Sequence, residues 1–200
     1  MKVGFIRARK IAPLLVAAWA AQAQAQSAPT WYIGAAGGAS HTSVACEAGL
    51  PCDRTGTAFK VEGGFLWANR TGGEIIYEDF GQTRAGAIGA LGVTDATVKP
   101  RALGAAAVWQ PELAGGLSAK LKVGVSTARA RLQADADGAR VDNDRKTEAH
   151  WWLAMGFAWR VAPHWDLTTD FDWTRAGYRN DGHKQTSDVG AFTVGAVRWF

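Results

Sequence analysis

The sequence predicts an all-β chain: an eight-stranded, antiparallel, up-and-down transmembrane β-barrel behind an export signal. Three observations predict it. Apolar residues alternate with polar or small ones in eight segments of roughly ten residues, the period of a strand. The linkers between those segments alternate short and long, and tryptophans gather at the segment ends beside the short linkers.

The first element is the signal. Lys2, Arg7, Arg9 and Lys10 form a positive n-region, Ile11 to Ala21 a short apolar core, and Ala21-Gln22-Ala23-Gln24-Ala25 offers overlapping small-x-small cleavage sites. The apolar run is about half of the roughly 20 residues a spanning helix needs. Residues 1–25 therefore read as a signal peptide and 26–200 as the barrel domain. The whole chain has 22 Lys+Arg against 18 Asp+Glu. Four of the basic residues and none of the acidic ones lie in the signal, so the remainder carries 18 against 18. The basic balance belongs to the signal, which removes the main support for a nucleic-acid partner.

The strands follow at about 30–40, 57–67, 72–82, 100–109, 115–131, 147–160, 165–178 and 188–200. Phe59, Val61, Phe65 and Trp67 oppose Lys60, Glu62 and Gly64 in parity; Leu153, Met155, Phe157 and Trp159 oppose Trp152, Ala154, Gly156 and Ala158; Leu167, Thr169, Phe171 and Trp173 oppose Asp166, Asp170 and Asp172. Successive side chains of a strand point to opposite faces, so each segment has one greasy face. Short linkers lie at 68–71, 110–114 and 161–164, and long polar ones at about 41–56, 83–99, 132–146 and 179–187. Short periplasmic turns and long extracellular loops are the layout of an outer-membrane barrel.

Trp31, Trp67, Trp109, Trp159, Trp165 and Trp199 fall at the short-turn end and predict an aromatic girdle, with Trp151, Trp173 and Tyr178 as a sparser second band. In a soluble barrel the greasy face would point inward and the other face would meet water. That other face is crowded with Gly63, Ala102, Gly104, Ala106, Ala154, Gly156 and Ala158, which suit the inside of a narrow barrel better.

The inward parity collects Lys60, Glu62, Glu74, Glu78, Lys120, Lys122, Arg160, Asp166, Asp170 and Asp172. Lone charges are prohibitive in a dry interior, so these groups are expected to pair. Cys46 and Cys52 lie in the first long loop, where an exported chain meets oxidising conditions; a structural disulfide is favoured over a metal site, for which only His41 and Glu47 are at hand. Its loop-closure contribution is about 2 kcal/mol. Asp135, Asp137, Asp142, Asn143 and Asp144 lack the spacing of a calcium loop. Gly86, Gly89 and Gly92 lack the strand-to-helix context of a nucleotide site.

The chain resembles the OmpA-like family of eight-stranded outer-membrane barrels. The resemblance rests on Trp31-Tyr32-Ile33-Gly34, on Cys46 and Cys52-Asp53 followed by Thr57 to Phe65, on Glu74-Ile75-Ile76-Tyr77-Glu78-Asp79-Phe80-Gly81, and on the aromatic C-terminus. It implies a location in the outer membrane of a Gram-negative bacterium, with membrane lipid and lipopolysaccharide as surroundings. It also implies a lumen plugged or gated by cross-strand ion pairs, in which Glu62, Glu74 and Glu78 meet Lys60, Lys120, Lys122 and Arg160. The last residues look like the family's assembly signal, read by the barrel-assembly machinery. Arg198, however, interrupts the apolar parity of Phe192, Val194, Ala196 and Phe200, which leaves the facing of the last strand open.

Some small barrels of this membrane act on lipid A with a serine, a histidine and a carboxylate. Here His41, His150, His164 and His183 are scattered, Ser40 beside His41 has no nucleophile elbow, and Ser126 with His150 is the nearest approach. The expectation is a barrel without catalysis, cofactor or metal. Its role would be structural or surface-binding, with an extracellular ligand met by the loops; a narrow small-solute channel is the alternative.

Overall fold

The computed structural model describes residues 28–43, 52–89, 92–136, 139–142, 148–180 and 183–200. The signal segment 1–25 and Cys46 of the expected Cys46–Cys52 bridge lie outside the described residues, as do Asp137, Asn143 and Asp144 of the acidic loop. The strands are β1 (Thr30–Thr42), β2 (Cys52–Asp53), β3 (Thr55–Leu66), β4 (Thr71–Asp79), β5 (Thr83–Gly89), β6 (Gly92–Trp109), β7 (Glu112–Ala114), β8 (Leu117–Ala136), β9 (Ala139–Asp142), β10 (Glu148–Ala162), β11 (Trp165–Asn180) and β12 (His183–Trp199).

Eight of them close a ring in the order β1-β3-β4-β6-β8-β10-β11-β12, every pairing antiparallel. The ring is shut by β1 against β12, from Tyr32 opposite Trp199 to Thr42 opposite Val189. Closure satisfies each barrel strand's backbone on both sides, which lipid demands because it offers no hydrogen bonds of its own.

The short connections owe their tightness to local chemistry. Arg70 takes a positive φ of 64°, and the Asn69 side-chain oxygen accepts from the Thr71 amide (3.2 Å) and hydroxyl (2.8 Å). Gly115 and Gly116 (φ 58° and 80°) turn β7 into β8, a conformation side chains rarely adopt. The long connections differ from expectation. The segment 83–99, read as a polar loop, contains a hairpin in which β5 pairs with the first part of β6. β8 runs on to Ala136 and pairs with β9, while β11 and β12 stay paired up to Asn180 opposite His183. Backbone pairing continues past the apolar band, with β6 still paired to β8 as far as Asp95 opposite Asp135; hydropathy marks where lipid stops and not where a strand stops.

The facing of the strands is decided by the greasy set. Leu153, Phe157, Leu167 and Phe171 are 45, 51, 47 and 49 % exposed, so they coat the outside. The opposite parity is buried: Ala102, Ala106, Ala154 and Ala158 all point in. Gly104 leaves space for an inward indole, since a Cβ there would lie 2.6 Å from the Trp152 ring. Gly63 departs from its expected place, because it shares the outward parity of Phe59 and Phe65. In β12 the outward set is Phe192, Val194 and Arg198, with Phe200 beyond, and Val197 and Trp199 are buried. The Arg198 guanidinium lies 6.0 Å from the Trp165 ring centre and 5.2 Å from that of Phe200, at the short-turn end.

Candidate functional site

The enclosed lumen gathers the chemistry-bearing residues. Inward parity sets which side chains enter it, and the tilt of the strands sets which of them meet. Lys60 of β3 reaches across to β11, its Nζ 2.8 Å from Asp170 Oδ2 and 2.7 Å from Asp172 Oδ2. From β8, Lys122 Nζ lies 2.7 Å from both Glu62 Oε2 and Glu74 Oε1. Lys120 lies between these groups, 3.0 Å from Glu62 Oε1 and 3.3 Å from Asp170 Oδ2. All seven side chains are buried. Buried pairs offset their desolvation only when the remaining donors and acceptors are also engaged. Here Tyr32 donates its hydroxyl to Glu74 Oε2 at 2.6 Å, and the Trp152 indole N–H donates to Asp172 Oδ1 at 3.1 Å.

Apolar layers lie on either side of this cluster. Toward the short turns, Tyr32, Leu66, Val108, Val197 and Trp199 pack together. Toward the loops stand Ile76, Phe80, Ala102, Ala128 and Val189, with Trp152 and Ala191. Ion-paired and apolar side chains together occupy the middle of the barrel.

Three expected members of the site fall elsewhere. Glu78 is fully buried, yet neither of its carboxylate oxygens has a hydrogen-bond partner among the described residues, and it joins none of the ion pairs. It stands cross-strand from Lys60, whose ammonium is turned toward Asp170 and Asp172 instead. Arg160 pairs with Asp166, cross-strand at the turn end, and its side chain is part-exposed; the lumen carboxylates Glu62 and Glu74 lie beyond it. Trp199, expected in the girdle, is 8 % exposed and points inward, donating its indole N–H to Asp166 Oδ2 at 2.8 Å, with its ring centre 4.8 Å from that of Tyr32 at a tilt of 49°. Its parity is opposite to Phe200, and a buried carboxylate offers its N–H a partner that lipid cannot.

The remaining girdle residues Trp31, Trp109, Trp159 and Trp165 are exposed on the outer face. Trp67 sits just past the end of β3, edge-on to Phe65 at 4.8 Å. Tyr32 and Trp152 were not singled out for the lumen, although an aromatic with a polar atom on the small-residue parity is a usable signal. Ser126 and His150 are indeed cross-strand neighbours, but Ser126 is buried and shares a 2.8 Å hydrogen bond with Thr174.

A closed antiparallel eight-stranded ring, greasy outside and ionic inside, defines an outer-membrane β-barrel. The chain belongs to the outer membrane protein beta-barrel domain family, which it matches over residues 11–200. It is similar to Neisserial surface protein A (17 % identity, TM-score 0.60, covering 85 % of this chain and 97 % of that one). It is similar also to Ail, the attachment invasion locus protein of Yersinia pestis (16 %, 0.56, 87 % and 100 %). A third is the outer membrane protein OprG from Pseudomonas aeruginosa (14 %, 0.52, 88 % and 98 %). At these identities the likeness is one of fold. No curated protein sequence matches the chain.

Proposed function

We propose that this barrel serves as a non-catalytic surface-interaction and envelope-stabilising protein, whose working parts are its outer wall and extracellular loops. The observation that carries the reading is the lumen. Lys60, Lys120 and Lys122 are locked against Glu62, Glu74, Asp170 and Asp172, and apolar layers lie above and below. A wall so filled leaves binding to the strand extensions and loops. The name of the similar Ail protein, attachment invasion locus, and its complex with the heparin analogue sucrose octasulfate support the same direction.

Two measurements test the proposal. In planar bilayers, wild type and Lys120→Ala are both expected to give no resolved current steps; steps in the wild type would put the narrow-channel reading in its place. Cells displaying the barrel are expected to adhere to a cultured host-cell layer more than cells displaying a variant with residues 132–146 replaced by a tight turn. Equal adhesion would remove that loop from the function.

A further inference from the structure

The short-turn mouth of the barrel holds a cavity of about 460 Å³ that none of the roles above uses. Its inner end is the packed layer of Tyr32, Leu66, Val108, Val197 and Trp199, of which Leu66 and Trp199 line it directly. Trp67, Arg70, Arg160 and His164 line it as well. The volume falls within the roughly 300–1,000 Å³ of small-molecule sites. Its rim is tied together by the backbone. The Trp199 amide donates to the His164 carbonyl (2.9 Å), the Arg160 amide to that of Gly116 (2.9 Å) and the Gln110 amide to that of Arg70 (2.8 Å). Each turn at this end is thereby fixed to a neighbouring strand end.

The charge of the lining is one-sided. Arg70, Arg160 and His164 all belong to it, and among the described residues no aspartate or glutamate does. The carboxylates that pair with the arginines lie outside the lining. Buried Asp166 takes Nε and one Nη of Arg160 and also accepts from the Trp199 indole; Glu112 accepts from one Nη of Arg70 at 3.0 Å. A guanidinium has five N–H donors, so both arginines keep several for a ligand. Both side chains are part-exposed, at 40 % for Arg160 and 42 % for Arg70. The Arg160 guanidinium also lies 5.6 Å from the Trp199 ring centre, which sets a cation beside the apolar floor. Arg70 holds a φ of 64°, where glycine is the easier residue; what arginine adds there is a guanidinium at the rim.

We infer that this mouth binds a small organic carboxylate with an apolar or aromatic body. Guanidinium forks hold both oxygens of a carboxylate, while Leu66 and the indoles of Trp67 and Trp199 cover the body. A hydrated inorganic anion would satisfy the donors alone. The site lies at the opposite end of the barrel from the loops and goes beyond the role proposed for them.

The test is fluorine NMR of the folded barrel in dodecylmaltoside micelles, titrated with para-fluorobenzoate or with its uncharged isostere para-fluorobenzamide. Wild type is expected to bind the carboxylate at least about tenfold more tightly. Arg70→Gln should remove about tenfold of the carboxylate's affinity and leave that of the amide unchanged. Arg160→Lys keeps a cation for Asp166 but loses the fork, and should weaken the carboxylate in the same direction. Arg101→Gln, which breaks a pair with Asp79 at the loop end, should bind as wild type does. Equal affinity of wild type for the two compounds would overturn the inference whether or not the variants fold. So would carboxylate binding that survives both rim substitutions unchanged, or that falls as far in Arg101→Gln. Adhesion through the loops is read separately, so either proposal can fail without the other.

Discussion

Replacing Lys122 by Met shortens the side chain by one atom and deletes its charge. Lys122 makes two contacts of 2.7 Å, to Glu62 and Glu74, from a fully buried position. Glu62 keeps Lys120 at 3.0 Å and Lys60 at 3.8 Å; Glu74 keeps only the Tyr32 hydroxyl. The variant therefore strands one carboxylate and under-compensates a second. Removing one partner of a buried pair costs about 3–5 kcal/mol, because the other charge stays behind. Adding Glu74→Gln removes the stranded charge while leaving an amide that still accepts from Tyr32, so the double variant should regain more than half of the loss. The assay is urea unfolding of the refolded barrel in lipid vesicles, read by tryptophan fluorescence and by the gel-mobility difference between unboiled and boiled samples. A Lys122→Met loss below about 1 kcal/mol, or a double variant no more stable than the single one, would refute the claim that these pairs hold the lumen.

Two further perturbations follow from the same interior. Gly104→Leu would put a side chain into the Trp152 ring and should cost at least about 1–3 kcal/mol by the same unfolding assay; an unchanged midpoint would mean that the indole does not occupy that space. Glu78→Met exchanges a buried carboxyl without hydrogen-bond partners for an apolar chain of similar length and should stabilise by roughly 1–3 kcal/mol; a destabilised variant would show that the carboxyl is engaged.

The legible part of this molecule was the part governed by a period of two. Parity alone told Leu153 from Trp152, and Phe171 from Asp172, because the barrel's two environments differ as sharply as lipid and a packed interior. Which charges meet was not legible. Lys60 passes its cross-strand neighbour Glu78 and pairs with Asp170 and Asp172 across the lumen. That choice depends on strand tilt and stagger, which no single segment encodes. Arg160 illustrates the same limit: its parity was readable, but its height at the turn end, where Asp166 waits, was not. Trp199 was misplaced by reasoning from residue type, since an indole suits a lipid boundary as well as a buried carboxylate; only the parity of Phe200 could have separated the two. Strand ends were obscured because the ribbons outrun the greasy band, as the β5–β6 hairpin does.

The seam between β1 and β12 has a consequence for how the molecule comes into being. Tyr32 and Trp199 are neighbours in space although nearly the whole chain separates them, and eleven successive residue pairs from Tyr32–Trp199 to Thr42–Val189 line the joint. Every other wall contact joins strands consecutive in the ring's path along the chain and can zip from a nearby turn. This one must wait for the two most distant strands to find each other, the slowest kind of encounter for a polymer. Until it forms, two unsatisfied borders face outward, each a template for a stranger's strand. The polypeptide is thus most vulnerable in the interval between completion and sealing, and an escort that shields those borders matters most then.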